Sequence, residues 1–277
     1  MNKRIVKIFG LIAVASLGLT GCSGSTNATG NSDNDTLIVG ASPVPHGKIL
    51  EYIAKELAPK AGLKLEIKQY TDYVQPNTAL DNGDIDANFY QHLPYLKQAE
   101  KDNGYKFTAG KGVHLEPYGI YSEKIKSLKD LPENAKVGIT NDPSNQGRAL
   151  LFLEAQGLIK VDSAVKDLSV HKGIVSNPKK LQFVEADPAT LPRTISSLDI
   201  AVINGNFALE AGLSPNKDAI ALEDGKNNPY SNLLVRRSDL SGKKLEAWNK
   251  LEKLLHSPEV KKFITDNWSD GSIIPSF

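Results

Sequence analysis

The sequence predicts an α/β fold built as two lobes. Short apolar runs alternate with segments of helical period from residue 36 to the end, the pattern of strands and helices that share a sheet. The roughly 240 residues carrying this pattern exceed a typical single domain. No internal repeat of solenoid length replaces the alternation.

The first run, Thr36-Leu-Ile-Val-Gly-Ala-Ser, is apolar and ends in small residues, so it reads as a buried strand entering a loop. Ile49, Leu50, Ile53, Ala54 and Leu57 recur at helical spacing from His46 and stop before Pro59 and Gly62. Residues 63–70 then alternate with period two, and the βαβ unit so formed predicts a parallel sheet. Residues 74–80 read as a helix, 83–88 as a strand leading to a loop, and 94–102 as another helix. Gly119-Ile-Tyr is followed by a strand over 136–140, after which Asn141-Asp142-Pro143 opens a helix reaching about residue 157. Proline early in a helix behind an Asn or Asp cap is a strong start signal. A buried strand over 199–204, a short helix over 206–211, a strand over 230–236 and two helices over 243–256 and 258–266 complete the chain.

The amino terminus has a different character. Lys3, Arg4 and Lys7 precede an apolar stretch from Ile8 to about Leu19, and Leu19-Thr20-Gly21-Cys22 follows. This is the pattern of a bacterial export signal ending in a lipobox. The stretch is roughly a dozen residues, short of the about 20 needed to span a ~30 Å hydrocarbon core. Residues 1–22 are therefore expected to be a lipoprotein signal, with the Cys22 thiol as lipid acceptor. Residues 23–35 are polar and too poor in apolar side chains to build a core, so they are expected to form a flexible tether. Acyl chains on Cys22 would hold the protein at the extracytoplasmic face of the cell membrane without spanning it.

Lys3, Arg4 and Lys7 would leave with the signal, so 30 of the 33 basic side chains would face 32 acidic ones. That balance gives no case for nucleic acid, which calls for a clustered basic surface. Cys22 is the only cysteine, which leaves the rest of the chain no disulfide and no thiolate metal site. His46, His92, His114 and His171 form no ligand-like cluster by spacing, so neither metal nor cofactor is expected.

Several segments in order resemble the NlpA family of lipoproteins, which includes MetQ-type methionine-binding proteins. They are Tyr73-Val-Gln-Pro-Asn, Gly83-Asp-Ile-Asp-Ala-Asn, Tyr90-Gln-His-Leu-Pro-Tyr95, Ile125-Lys-Ser-Leu, Asn141-Asp-Pro-Ser-Asn-Gln-Gly-Arg-Ala-Leu150, Ala201-Val-Ile-Asn204 and Asn228-Pro-Tyr-Ser-Asn232-Leu-Leu-Val. The resemblance implies a two-lobed type II periplasmic-binding-protein fold with the ligand cleft between the lobes. One lobe would comprise 36–117 and 233–277, the other 118–232. It further implies a monomer that binds a small amino acid, methionine or a close relative, for the permease of an ABC importer.

A free amino acid presents a carboxylate, an ammonium and a side chain. The resemblance assigns the carboxylate to Arg148, whose planar fork of donors suits two carboxylate oxygens; alone, an arginine on this helix would more often be structural. Asn204, Asn232 and Asn145 can donate and accept, although an asparagine at a strand end commonly bonds its own backbone. Asn206 lies in a segment that varies in the family. Tyr73, Tyr90, His92 and Tyr95 are candidates for an apolar, polarizable slot around a thioether, where the plainer reading is lobe packing. The family often has phenylalanine at the position of Tyr90, so an extra hydroxyl is expected here, and a methionine-containing dipeptide or glutamine are alternative ligands. Asp84, Asp86 and His92 could form an acid–base group, but no activated nucleophile or phosphate loop accompanies them. A surface adhesin would call for a large exposed apolar patch, and no run of the sequence requires one.

Overall fold

Leu37, Val39 and Ala41 alternate with Ile38 and Gly40 along β1 (Thr36–Ala41), and the two sets face different cores. The strand is thus buried on both sides, as a central strand of an α/β sheet must be. Gly40 is obligatory at this contact: a Cβ there would lie 2.7 Å from Ile85 Cδ1 and 2.9 Å from the Tyr70 ring. The computed structural model describes residues 35–226 and 228–277. The expected signal, Cys22 and nearly all of the expected tether lie outside the described residues.

After β1 the chain forms a helical stretch, α1 (Lys48–Tyr52), with wider turns at Pro43–Gly47 and Ile53–Leu57 on either side. Next come β2 (Lys64–Gln69), α2 (Gln75–Asn82), β3 (Ala87–His92), α3 (Leu93–Asn103) and β4 (Phe107–Leu115). The chain then builds β5 (Gly119–Tyr121), β6 (Lys136–Thr140), α4 (Pro143–Ala155), β7 (Lys160–Val161), β8 (Ile174–Ser176), β9 (Gln182–Ala186), α5 (Leu191–Thr194), β10 (Ile200–Ile203), α6 (Gly205–Glu210), α7 (Pro215–Asp218) and β11 (Ala219–Leu222). It ends with β12 (Asn232–Arg237), α8 (Gly242–Leu255), α9 (Pro258–Asn267) and β13 (Ile274–Pro275).

Two main sheets result. The first has the order β13-β4-β12-β3-β1-β2 and the second β11-β5-β10-β6-β9. Strands β2, β1 and β3 are parallel, and β12, β4 and β13 extend that sheet with antiparallel pairings. In the second sheet β9, β6 and β10 are parallel while β5 and β11 run antiparallel. The expected parallel βαβ unit is present at β1-α1-β2, but both sheets are mixed. Among the described residues two segments join the sheets, one after β4 (116–118) and one before β12 (223–226 and 228–231).

Each sheet has apolar cover on both faces. In the first, Ile49, Leu50, Trp248, Leu251 and Ile264 pack one face, while Leu80, Ile85, Leu96 and Val235 pack the other. In the second, Ile200 and Val202 turn to a core with Val137, Leu150 and Leu153, while Ala201 and Ile203 turn to Leu191, Ile195 and Phe207. The period-two alternation of β10 thus stitches two cores together.

Two readings from the sequence shift. The strand expected at 83–88 begins at Ala87 and runs to His92, because residues before it turn: Gly83 adopts φ +83 and caps α2. Asp84 and Asp86 therefore do not form an acid–base group with His92. Asp86 accepts from the Ile38 backbone N–H and from Lys244 Nζ at 2.8 and 2.6 Å, a structural tie at the start of β1. Strand β4, the longest among the described residues, lies where no strand was read, since Gly110-Lys111-Gly112 interrupts its apolar pattern.

Candidate functional site

Three segments of the site follow the carboxyl ends of parallel strands, where open α/β sheets place their ligands. They are His92 at the end of β3, Asn145 after β6, and Asn204 and Gly205 after β10. The joining segments add Glu116 and Tyr118. The space between these side chains, open solvent included, contains about 330 Å³ not filled by protein atoms.

Helix α4 owes its start to Asp142, whose Oδ1 accepts from the Asn145 N–H at 2.9 Å with Pro143 in the first turn. Asn145 and Arg148, three residues apart, then share one helical face, and both are buried. Arg148 is held through its Nε and Nη2 edge and both faces. Its Nε and Nη2 donate to the Glu223 carboxylate at 3.0 and 2.5 Å, and Nη2 also donates to the Glu116 carbonyl at 2.8 Å. Its planar group lies 3.9 Å from the Tyr118 ring centre and 4.4 Å from that of Tyr230, a geometry that favours a guanidinium. The expected fork toward a ligand is therefore closed by Glu223. Nη1 is the edge without a protein partner among the described residues.

Asn145 Oδ1 accepts from Tyr118 Oη at 2.6 Å, from Asn204 Nδ2 at 3.3 Å and from His92 Nε2 at 3.1 Å. The last bond joins the two sheets' halves. His92 Nδ1 accepts from the Tyr95 N–H at 3.2 Å and caps α3, so its proton sits on Nε2 and the ring is neutral. Burial first, and then the Arg148 charge, pull its pKa down to about 3.

Tyr73, Tyr90 and Tyr95 form a ring cluster with centroids 5.7–6.1 Å apart. The hydroxyls of Tyr90 and Tyr95 both donate to the Tyr73 carbonyl, at 2.9 and 3.0 Å. The extra hydroxyl at Tyr90 is thus committed to the backbone, so it offers no new contact to a ligand. Tyr73 Oη donates to Asn206 Oδ1 at 2.5 Å, a second bond between the halves. Burial raises the pKa of all three phenols, which keeps them donors.

Of the nine ligand-binding residues expected from sequence, eight line the cavity: Tyr73, Tyr90, His92, Tyr95, Asn145, Arg148, Asn204 and Asn232. Asn206 does not; its side chain lies behind the wall, between Tyr73 and Glu210. The sequence reading missed Gln91, Glu116, Tyr118 and Gly205 in the lining, and Glu223 and Tyr230 behind Arg148. The signal available for Glu116 was His114-Leu-Glu116, which puts two titratable groups on the same side of a strand.

The expectation that no histidines cluster is corrected. His46, His114 and Glu116 bring one ligand-type atom each within 4.8 Å of one another. Glu116 Oε1 lies 2.8 Å from His114 Nε2 and 3.2 Å from His46 Nε2, and Asn232 Nδ2 donates to it at 3.4 Å. Both Nδ1 atoms and His46 Nε2 are buried without a hydrogen-bond partner, whereas a metal-bound imidazole ordinarily has its other nitrogen bonded. The donor set fits a hydrogen-bonded carboxylate better than a cation. Burial pulls His46 and His114 down to about 4 and about 3 and pushes Glu116 up.

These rings have a consequence for stability. The unfolded chain would protonate His46, His92 and His114 as pH falls below about 6.5, while the folded chain would not, so folding stability is lost from there down toward about pH 4. The raised carboxyls of Glu116, Asp142, Glu210 and Glu252 work in the opposite sense, so the histidine contribution is read as a difference. The stability of His114→Gln relative to wild type is expected to rise as pH falls from 7 to 4.5; a pH-independent difference would contradict neutral burial of that ring.

The family model for NlpA lipoprotein matches residues 37–277. Methionine-binding lipoprotein MetQ of Bacillus subtilis (strain 168) is 39% identical over 275 residues, covering 97% of this chain and 98% of that protein. D-methionine-binding lipoprotein MetQ of Escherichia coli (strain K12) is 40% identical over 262 residues, 94% of each. Among solved structures, a nutrient binding protein from Burkholderia cenocepacia bound to methionine is 45% identical with a TM-score of 0.81, over 87% of this chain and 100% of that one. On this match over nearly all of the described residues, the chain belongs to the NlpA lipoprotein family.

Proposed function

We propose that the protein is a lipid-anchored solute-binding protein that captures methionine, as either enantiomer, between two lobes and passes it to the permease of an ABC importer. The lobes would comprise 36–117 with 233–277, and 118–232. The anchor would be Cys22, and the location the extracytoplasmic face of the membrane. Among the described residues no helix is long and apolar enough to cross a membrane. The observation that carries the reading is the pairing within one cavity of opposite needs. Arg148 Nη1 offers donors, while Asn204 Oδ1 is a buried acceptor without a partner. A zwitterion satisfies both at once, which a simple anion or cation does not.

The rings of Tyr73, Tyr90 and Tyr95, with their hydroxyls turned to one another's backbone or to Asn206, would supply an apolar slot for a thioether. A dipeptide would need extra polar contacts, and Tyr90 and Asn206, the residues able to give them, are bonded to Tyr73 instead. Native mass spectrometry of the purified protein tests the assignment. A retained mass equal to methionine is expected, and a different retained solute would replace the reading.

The slot should also discriminate oxidation. Methionine sulfoxide would bury an oxygen without a donor, costing about 1–3 kcal/mol, so its binding is expected to be roughly ten-fold weaker or more. Equal calorimetric affinities for methionine and its sulfoxide would contradict a slot closed to polar atoms.

A further inference from the structure

We infer that the edge of the first sheet around Lys64, Lys243 and Lys250 is a docking surface for anionic lipid headgroups. The inference rests on the proposed lipid anchor and adds a second contact with the membrane to it.

The cluster forms where the described chain begins. Thr36 opens β1 and pairs with Lys64, which opens β2. Helix α8 passes the same edge. Its Lys244 Nζ donates to the Thr36 carbonyl and to Asp86 Oδ2 at 2.5 and 2.6 Å, so that cation is neutralised. Lys243 Nζ lies 2.9 Å from Asp35 Oδ1, and Lys250 Nζ donates to the Gly62 carbonyl at 3.1 Å, just before β2. A hydrogen bond from Lys243, with the charges of Lys243, Lys64 and Lys250, holds the Asp35 carboxyl below the usual carboxylate range. Three ammonium groups thus converge on one carboxylate.

The wider edge keeps that sign. Lys60 and Lys253 are exposed beside the cluster, and Glu66 and Glu246 are the carboxylates that flank it on β2 and α8, so lysines outnumber carboxylates here. The body as a whole does not share this balance: 30 of the 33 basic and 31 of the 32 acidic side chains belong to the described residues. The cationic edge is therefore local.

Its place in the chain names the partner. From Asp35 the chain runs back through the expected tether to Cys22, and those 13 residues reach at most about 45 Å and span roughly 20 Å on average. An acyl group on Cys22 would hold this edge beside a bilayer. Each lysine near an anionic surface contributes about 1 kcal/mol, within a screening length of about 8 Å. Such weak attraction suffices, because tethering replaces a search through bulk solution by a high effective concentration. The direction also suits capture. The parallel strand β3 carries His92 of the cavity at its carboxyl end, and β1 and β2 run the same way, so their amino ends point away from the cavity. A body resting on this edge keeps the cavity turned toward solvent.

The test places the lipidated full-length protein on vesicles of phosphatidylcholine, alone or with about one quarter phosphatidylglycerol, and measures acetylation of each lysine by mass spectrometry. Lys64, Lys243 and Lys250 are expected to react about threefold more slowly on the anionic vesicles at low salt, and equally on both at about 0.5 M salt. Lys124 and Lys217, on the half built around the other sheet, should react alike throughout. The triple variant Lys64→Gln, Lys243→Gln, Lys250→Gln should keep its calorimetric affinity for methionine, while its Lys60 loses any difference between the two vesicles. Equal reactivity of the three lysines on both vesicles, or protection that survives high salt, would overturn the inference and leave the anchor in place. Protection on neutral vesicles brought about by inorganic phosphate would assign the cluster to a soluble anion and overturn it as well. An amino-terminal peptide without acyl chains on Cys22 would sink both the anchor and the docking surface.

Discussion

Replacing Arg148 by alanine is expected to lower methionine affinity by about 3–5 kcal/mol, a hundred-fold or more in Kd. Two losses combine. The ligand carboxylate would enter a dry site without Nη1, and Glu223 would be left without the cation that its two oxygens grip. The second loss also lowers thermal stability, since the Glu223 side chain is 13% exposed. Arg148→Lys separates the two effects. A lysine can reach Glu223 or the ligand but cannot hold both with one planar group, so it should recover stability more than affinity. Calorimetry beside a thermal melt reads both, and an Arg148→Ala protein of unchanged affinity would contradict the site as drawn.

Asn88→Ala is expected to cost about 2–4 kcal/mol of folding stability, measured by urea unfolding. Asn88 belongs to a closed buried network. Its Nδ2 donates to Asn77 Oδ1 and the Pro76 carbonyl at 2.9 and 3.2 Å, and its Oδ1 accepts from Gln91 Nε2 at 2.9 Å. Gln91 Nε2 also donates to Asn77 Oδ1 at 2.7 Å, and Asn77 Nδ2 returns a bond to Gln91 Oε1 at 3.1 Å. All three amides are at most 3% exposed, so truncating Asn88 removes its three bonds from a dry site and leaves only the reciprocal Asn77–Gln91 pair. The network ties α2 to β3, the strand that carries Tyr90 and His92, so ligand affinity should fall with stability. A loss below about 0.5 kcal/mol, the range of an ordinary surface change, would show that the network is not closed in solution.

That network also explains where the sequence was hard to read. Ala87-Asn-Phe-Tyr-Gln-His is fully buried and central in its sheet, yet half its side chains are polar. Hydrophobic periodicity cannot find such a strand, because what buries these amides is their mutual hydrogen bonding with Asn77. Strand β4 was hidden for another reason: Gly110 and Gly112 are demanded by close neighbours, Glu252 and Ser231, at distances under 3 Å from any added Cβ. Where apolar alternation and a proline-led cap coincided, as at β1, β6 and α4, element and face were both legible.

The site divides in the same way. Asn145 and Arg148 were legible as a pair because three residues on a helix share a face. Their partners were not, since Glu223 lies 75 residues from Arg148 and Glu116 lies 116 residues from Asn232. Both glutamates sit on the two segments that join the sheets, where only the His114-Leu-Glu116 spacing at the end of β4 hints at burial, and for Glu223 no local period does. The same segments supply Tyr118 and Tyr230, which flank the Arg148 guanidinium. The joints of the fold and the walls of the cavity are therefore largely the same residues, which no reading of single elements could reveal.

The account depends on a free amino acid lying between Arg148 and the Asn204 side of the cavity, and a crystal structure with methionine bound tests this most directly. It should show the ligand carboxylate on Arg148 Nη1, the Glu223 pair intact behind it, and the thioether among the rings of Tyr73, Tyr90 and Tyr95. Methionine seated outside this cavity, with Arg148 Nη1 still free of it, would contradict the account.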